Sequence, residues 1–173
     1  MSNERKGGTT FKGNPLTLVG NEIKVGQKAP EFKAVAGDLS EVNLAKSAGK
    51  TRLIVAVPSL DTPVCDAETR KFNEAVSKVS GVQAYVISMD LPFAQGRFCQ
   101  TAGIKNLQPL SDHRDASFGV AYGTLIKELR LLSRAVFVVN AQDVVTYVEY
   151  VPEMTNHPNY DAALAALRQP AGV

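Results

Sequence analysis

Two cysteines, Cys65 and Cys99, are the residues of this chain best suited to covalent chemistry. Two are too few for a disulfide scaffold, and a chain of 173 residues does not need one. In a reducing compartment such a pair is either two small buried hydrophobes or a redox couple. Cys65 closes the segment Pro58-Ser-Leu-Asp-Thr62-Pro63-Val-Cys65, between a β-branched apolar run and a helical pattern, where α/β folds place their chemistry. Thr62 has N-cap chemistry and Pro63 suits the first helical position, so Cys65 falls at the third residue of the helix. Its backbone N–H is then among the unpaired donors of the first turn, and its sulfur feels the positive end of the helix dipole. Such a site favours thiolate, the form that attacks a peroxide O–O bond. The carboxylate of Asp61 opposes ionisation, so a cation must assist: Arg70 or Lys71 on the same helix, or Arg134 at the head of a later strand. Against this stands a plain packing role, since Cys65, Phe72 and Val76 share one helix face.

The elements around these residues follow from periodicity. Residues 52–57 form a near-continuous apolar run, as expected of a strand buried on both faces, and the helix after it is expected to run to Gly81. Strands are predicted over 31–36, 41–44, 82–88, 107–110, 135–139 and 144–150, the last two antiparallel across a turn at 140–143. Helices are predicted over 93–102, which carries Cys99, and 160–168, stopped by Pro170, with one or two helical turns over 115–122. Residues 1–9, polar and Gly-rich, read as a flexible tail. Residues 11–12 and 15–19 flank Gly13-Asn14 as an N-terminal hairpin. The alternation predicts an α/β fold with a mixed central sheet flanked by helices, in a single domain over 10–173.

Pro58-x-x-x-Thr62-x-x-Cys65 resembles the active-site pattern of the peroxiredoxins. Asp90-Leu-Pro-Phe-Ala-Gln with Arg97-Phe-Cys99, and Arg134-Ala-Val-Phe-Val-Val, extend the likeness to one subfamily, the bacterial thiol peroxidases, over nearly the whole chain. The resemblance implies a thioredoxin-like fold with an N-terminal β-hairpin extension. It implies that Cys65 is oxidised to a sulfenic acid and that Cys99 resolves it into an intramolecular disulfide. Thr62 is then the hydroxyl that contacts peroxide and sulfur, Pro58 the shield against bulk water, and Arg134 the guanidinium that stabilises the thiolate. Bland roles stand beside these: Thr62 Oγ1 as a helix cap accepting the Cys65 N–H, and Arg134 as a solvated strand-end charge. The resemblance further implies thioredoxin as reductant, a homodimer, and activity on both hydrogen peroxide and organic hydroperoxides. Leu60, Phe93 and Phe98 are candidates to line a site for an organic tail. Disulfide closure requires Cα atoms within about 7 Å, so one or both of the helices carrying the two sulfurs are expected to unwind. Gly96 and Gly103 beside Cys99 weaken local helix.

Other classes are disfavoured. A formal net charge of +2, scattered along the chain, does not suggest a nucleic-acid or membrane-surface binder. No apolar run reaches the length of a membrane span, and no secretory signal is evident, so a cytoplasmic location is expected. Cys65, Cys99, His113 and His157 match no metal-ligand spacing, and no metal or other cofactor is expected. A general disulfide oxidoreductase would carry Cys-x-x-Cys, whereas Asp66-Ala-Glu68 follows Cys65. A catalytically silent binding module on the same fold is the remaining alternative.

Overall fold

The structure is a computed structural model and describes residues 3–168. Strands β1 (Glu4–Phe11) and β2 (Asn14–Val19) form the hairpin; β3 (Lys33–Val35), β4 (Glu41–Asn43) and β5 (Thr51–Ala56) follow. Helix α1 (Pro63–Val76), strand β6 (Val82–Ser88), helix α2 (Pro92–Ala102) and strand β7 (Leu107–Ser111) continue the alternation. The short helix α3 (Ser117–Ala121) precedes β8 (Leu125–Ile126), β9 (Leu131–Leu132), β10 (Ala135–Val139) and β11 (Val145–Tyr150), and α4 (Tyr160–Leu167) comes last.

Seven strands make the central sheet in the order β11-β10-β5-β6-β7-β3-β4. β5, β6 and β7 are parallel and the rest antiparallel, which is the mixed sheet expected. Because side chains alternate across a strand, β5 and the residue after it send Leu53, Val55 and Val57 to one face and Ile54 and Ala56 to the other. The first face packs against α1 and α4 through Cys65, Phe72, Val76, Ala163 and Leu167, with Phe98, Cys99 and Ala102 of α2 at its margin. The second face packs against α3 and an aromatic cluster of Phe32, Phe118, Tyr122 and Phe137. Helices therefore cover both faces.

The hairpin belongs to a separate four-stranded sheet, β1-β2-β8-β9. The expected flexible tail over 1–9 is corrected here: from Glu4 onward these residues form β1, paired with β2. Composition misleads because an edge strand can be polar. The Gly-Gly pair lies in a bulge, where the register shifts between Arg5 and Thr9 and Gly7 takes φ +69. Thr9 is buried, and Arg5 Nη2 reaches the Gly123 carbonyl at 2.9 Å. The hairpin turn is Lys12-Gly13, one residue earlier than predicted. Both take positive φ, the arrangement whose twist suits a two-residue hairpin. Strands β8 and β9 have no signal of their own, being two-residue segments of which β8 pairs with β2 and β9 with β8.

α1 ends at Val76 rather than at Gly81; the chain then turns through Ser77 and Lys78, and Gly81, at φ +74, leads into β6. α4 ends at Leu167; the predicted stop, Pro170, lies outside the described residues.

Candidate active site

The loop from β5 into α1 is held from below. Asp90, just after β6, accepts the Ser59 hydroxyl at 2.7 Å, the Leu60 N–H at 2.9 Å and the Ser88 hydroxyl at 2.7 Å. Thr62 stands at the N-cap and Pro63 at the first helical position, as predicted. The Thr62 hydroxyl does not cap the helix; it donates to the Ser59 carbonyl at 2.9 Å. The first bond into the helix runs from the Asp66 N–H to the Thr62 carbonyl at 2.9 Å. Cys65, at the third helical residue, is fully buried.

Arg134 reaches Cys65 through the sheet. β10 lies antiparallel to β5 with Ala135 opposite Ala56, so residue 134 leaves its strand beside the start of the Pro58 loop. Its Nη1 donates to Cys65 Sγ at 3.2 Å and to Glu68 Oε2 at 2.6 Å. Its Nε and Nη2 donate to the Met154 carbonyl at 3.2 and 2.6 Å. Arg134 is 2% exposed and Glu68 0%, so the reading of Arg134 as a solvated charge is corrected. Burial works against the Arg134 charge, but Glu68 and Cys65 outweigh it and raise its pKa above the ordinary value. Burial pushes Glu68 up to about 7, against the pull of Arg134. Glu68 Oε1 has no hydrogen-bond partner.

The other two candidate cations are engaged elsewhere. Arg70 pairs with Asp66 and reaches the Ala102 carbonyl at 3.4 Å, and Lys71 lies 4.2 Å over the Tyr160 ring. Glu68 was missed by sequence reasoning. The available signal was an acidic residue at i+3 from Cys65 and i−4 from Phe72, on the face destined for burial.

A cavity of about 330 Å³ opens beside these groups. Thr62 and Arg134 form its polar side; Phe11, Pro58, Pro63, Val64 and Met154 form its apolar walls. The predicted lining is corrected. Leu60 is buried in the core, Phe93 is 69% exposed, and Phe98 lines a different cleft, between α1 and α2, with Asp61, Asp66, Arg70 and Arg97. An apolar residue near the motif in sequence is not thereby near it in space, because α2 presents Phe93 outward.

Cys65 and Cys99 are both free thiols. Cys99 is half-buried on α2 and packs with Phe98 and Ala102 against the cluster that contains Cys65. Burial pushes its thiol above the ordinary value. The first turn of α2 is pinned: Gln95 Nε2 donates to Ser88 Oγ at 3.0 Å and to the Leu110 carbonyl at 2.8 Å. Among the described residues no group of three or more His, Cys, Asp or Glu side chains is gathered that could hold a metal ion.

A buried thiol in the first turn of a helix, bonded by a buried guanidinium that itself lines a cavity shared with a hydroxyl, is an arrangement suited to thiol redox chemistry on an α/β sheet. The redoxin family matches residues 24–164. A thiol peroxidase of Halalkalibacterium halodurans is 63% identical over 159 residues, covering 92% of this chain and 96% of the relative. One from Bacillus subtilis is 54% identical over 159 residues, covering 92% and 95%. Among solved structures, a peroxiredoxin-like protein from Aquifex aeolicus superposes with a TM-score of 0.88 at 45% identity, covering 96% of this chain and 97% of that one. The chain belongs to the redoxin family, among its thiol peroxidases, and its fold is thioredoxin-like.

Proposed function

We propose that Cys65 is the residue through which this thiol-dependent peroxidase reduces hydroperoxides, that Cys99 resolves the product, and that Thr62, Arg134 and Pro58 serve the first step. The observation that carries the reading is the Arg134 Nη1–Sγ contact at 3.2 Å beside a cavity shared with Thr62. The Cys65 thiolate attacks one peroxide oxygen and the O–O bond breaks. The departing oxygen takes a proton and leaves as water or an alcohol, and the sulfur becomes a sulfenic acid. The guanidinium stabilises charge on the sulfur and on the departing oxygen, in a site shielded from water by Pro58. The Thr62 hydroxyl, able to donate as well as accept, orients the peroxide.

Cys99 then attacks the oxidised sulfur, water departs, and a disulfide joins the two helices. An external dithiol restores both thiols by exchange; the resemblance points to thioredoxin in that role. The apolar walls of the cavity support use of organic hydroperoxides as well as hydrogen peroxide. A cytoplasmic location fits the use of both cysteines as a redox couple, and no described helix is long and apolar enough to cross a membrane. A homodimer packed near Cys65 completes the reading, and sedimentation that returns a monomer at working concentration overturns that part.

The test of the central assignment is treatment with one equivalent of hydrogen peroxide followed by intact mass and peptide mapping. Loss of two hydrogens and a linked Cys65–Cys99 peptide are expected. Peroxide consumption that persists in Cys65→Ser sinks the assignment.

A further inference from the structure

Arg134 takes its position from the loop that follows β11, and that loop takes its position from the hairpin. The loop is bonded to the arginine at two places: the Val151 N–H donates to the Arg134 carbonyl at 3.0 Å, and the Met154 carbonyl receives Nε and Nη2. Between them the chain is bridged to β1. The Thr10 N–H donates to the Pro152 carbonyl at 2.9 Å, and the Met154 N–H donates to the Thr10 carbonyl at 2.8 Å. The Glu153 carboxylate is the joint of this bridge. Oε1 accepts the Gly13 N–H and the Thr10 hydroxyl, each at 2.9 Å; Oε2 accepts the Thr155 N–H at 2.8 Å and its hydroxyl at 2.6 Å. One side chain thus fastens the hairpin turn, the β1 end and the far side of the loop.

A guanidinium is a rigid plane with donors on both sides. Moving the carbonyl that fixes Nε and Nη2 swings Nη1, which faces the sulfur on the other side. We propose that Glu153 is a positioning residue for the reaction at Cys65, clasping the hairpin so that the Met154 carbonyl holds Arg134 at its aim. The inference rests on the reading that Cys65 and Arg134 carry the chemistry. Bonds from Thr155 and Gly13 hold the Glu153 carboxyl down at about 2, so the clasp stays closed at any working pH. The hairpin, on this account, is part of the catalytic support.

A purely structural clasp would leave the sulfur unaffected, so the sulfur is the readout. In a Cys99→Ser background, Glu153→Ala, Thr10→Val and Arg134→Lys are compared by thiolate ultraviolet absorbance at mildly acidic pH and by the single-turnover rate of oxidation by hydrogen peroxide. Glu153→Ala is expected to lower the absorbance and to slow oxidation about tenfold, with circular dichroism unchanged. Glu153→Gln, which keeps one acceptor oxygen, should fall between it and the parent. If Glu153→Ala undocks the hairpin, Thr10→Val decides, because it removes a single hydroxyl. Parental absorbance and rate in the folded Glu153 and Thr10 variants, with Arg134→Lys impaired, overturn the inference and leave the active-site reading standing. An unimpaired Arg134→Lys variant overturns both.

Discussion

The Arg134 guanidinium and the Glu68 carboxylate meet at 2.6 Å with both side chains closed off from solvent, and the same nitrogen faces Cys65 Sγ. Removing one member of a buried pair strands the other, which costs more than the pair contributes. Arg134→Met should therefore lower stability by about 3–5 kcal/mol in urea titrations. Arg134→Lys keeps a charge but loses the fork, and should reduce kcat/KM at least about a hundredfold. Near-parental turnover in the lysine variant would overturn the role given to Arg134 at Cys65.

Glu68 also sets a pH dependence. Its ordinary value of 4.5 is raised in the fold to about 7, so the folded state holds the proton more tightly than the unfolded chain does. Its contribution to stability is present below about 4.5 and is lost as pH rises through about 7. Glu68→Gln mimics the protonated form. The stability of this variant relative to the parent should rise between about pH 5 and pH 8 by more than about 1 kcal/mol. Arg134 opposes the effect and Glu149 adds to it. Parallel stability profiles for the two proteins would refute the account.

The two ends of α2 differ in how they are fastened. Gln95 pins the first turn, while the segment after it carries two weak points, Gly96 and the left-handed Gly103. A Cβ at Gly96 would meet nothing within 4 Å. Gly96→Ala should stabilise α2 by about 0.5–1 kcal/mol and slow disulfide closure several-fold, leaving first oxidation intact. Stopped-flow traces that separate the two phases check this.

Cys99→Ser should complete the first oxidation and then stall. Under excess peroxide Cys65 should advance to sulfinic acid, visible by mass. Undiminished cycling with a dithiol reductant in that variant would remove Cys99 from the mechanism.

The cavity walls make a claim about selectivity. Phe11→Ala should lower kcat/KM for cumene hydroperoxide relative to hydrogen peroxide by about tenfold, the scale of a few lost apolar contacts. An unchanged ratio would place the organic tail elsewhere.

Sequence reading placed Thr62 at the N-cap and Cys65 at the third helical residue because the register follows from Thr-Pro, whereas Pro58 stood out only through the family resemblance. The central strands were legible because burial on both faces leaves a continuous apolar run. Glu68 was hidden because glutamate on a helix is exposed by default, and only the approach of β10 makes its burial tolerable. β1 was hidden because its residues are polar and its partner does the apolar work. The Met154 contact had no possible signal, since it is made by the main chain.

That last contact divides one residue into two independent parts. Every amino acid owns a carbonyl, so drift at position 154 leaves the anchor of the arginine untouched, while the side chain there forms part of the apolar wall. On the proposed reading, such a position lets a lineage retune which hydroperoxides the cavity admits while the Arg134 contact to the sulfur is kept.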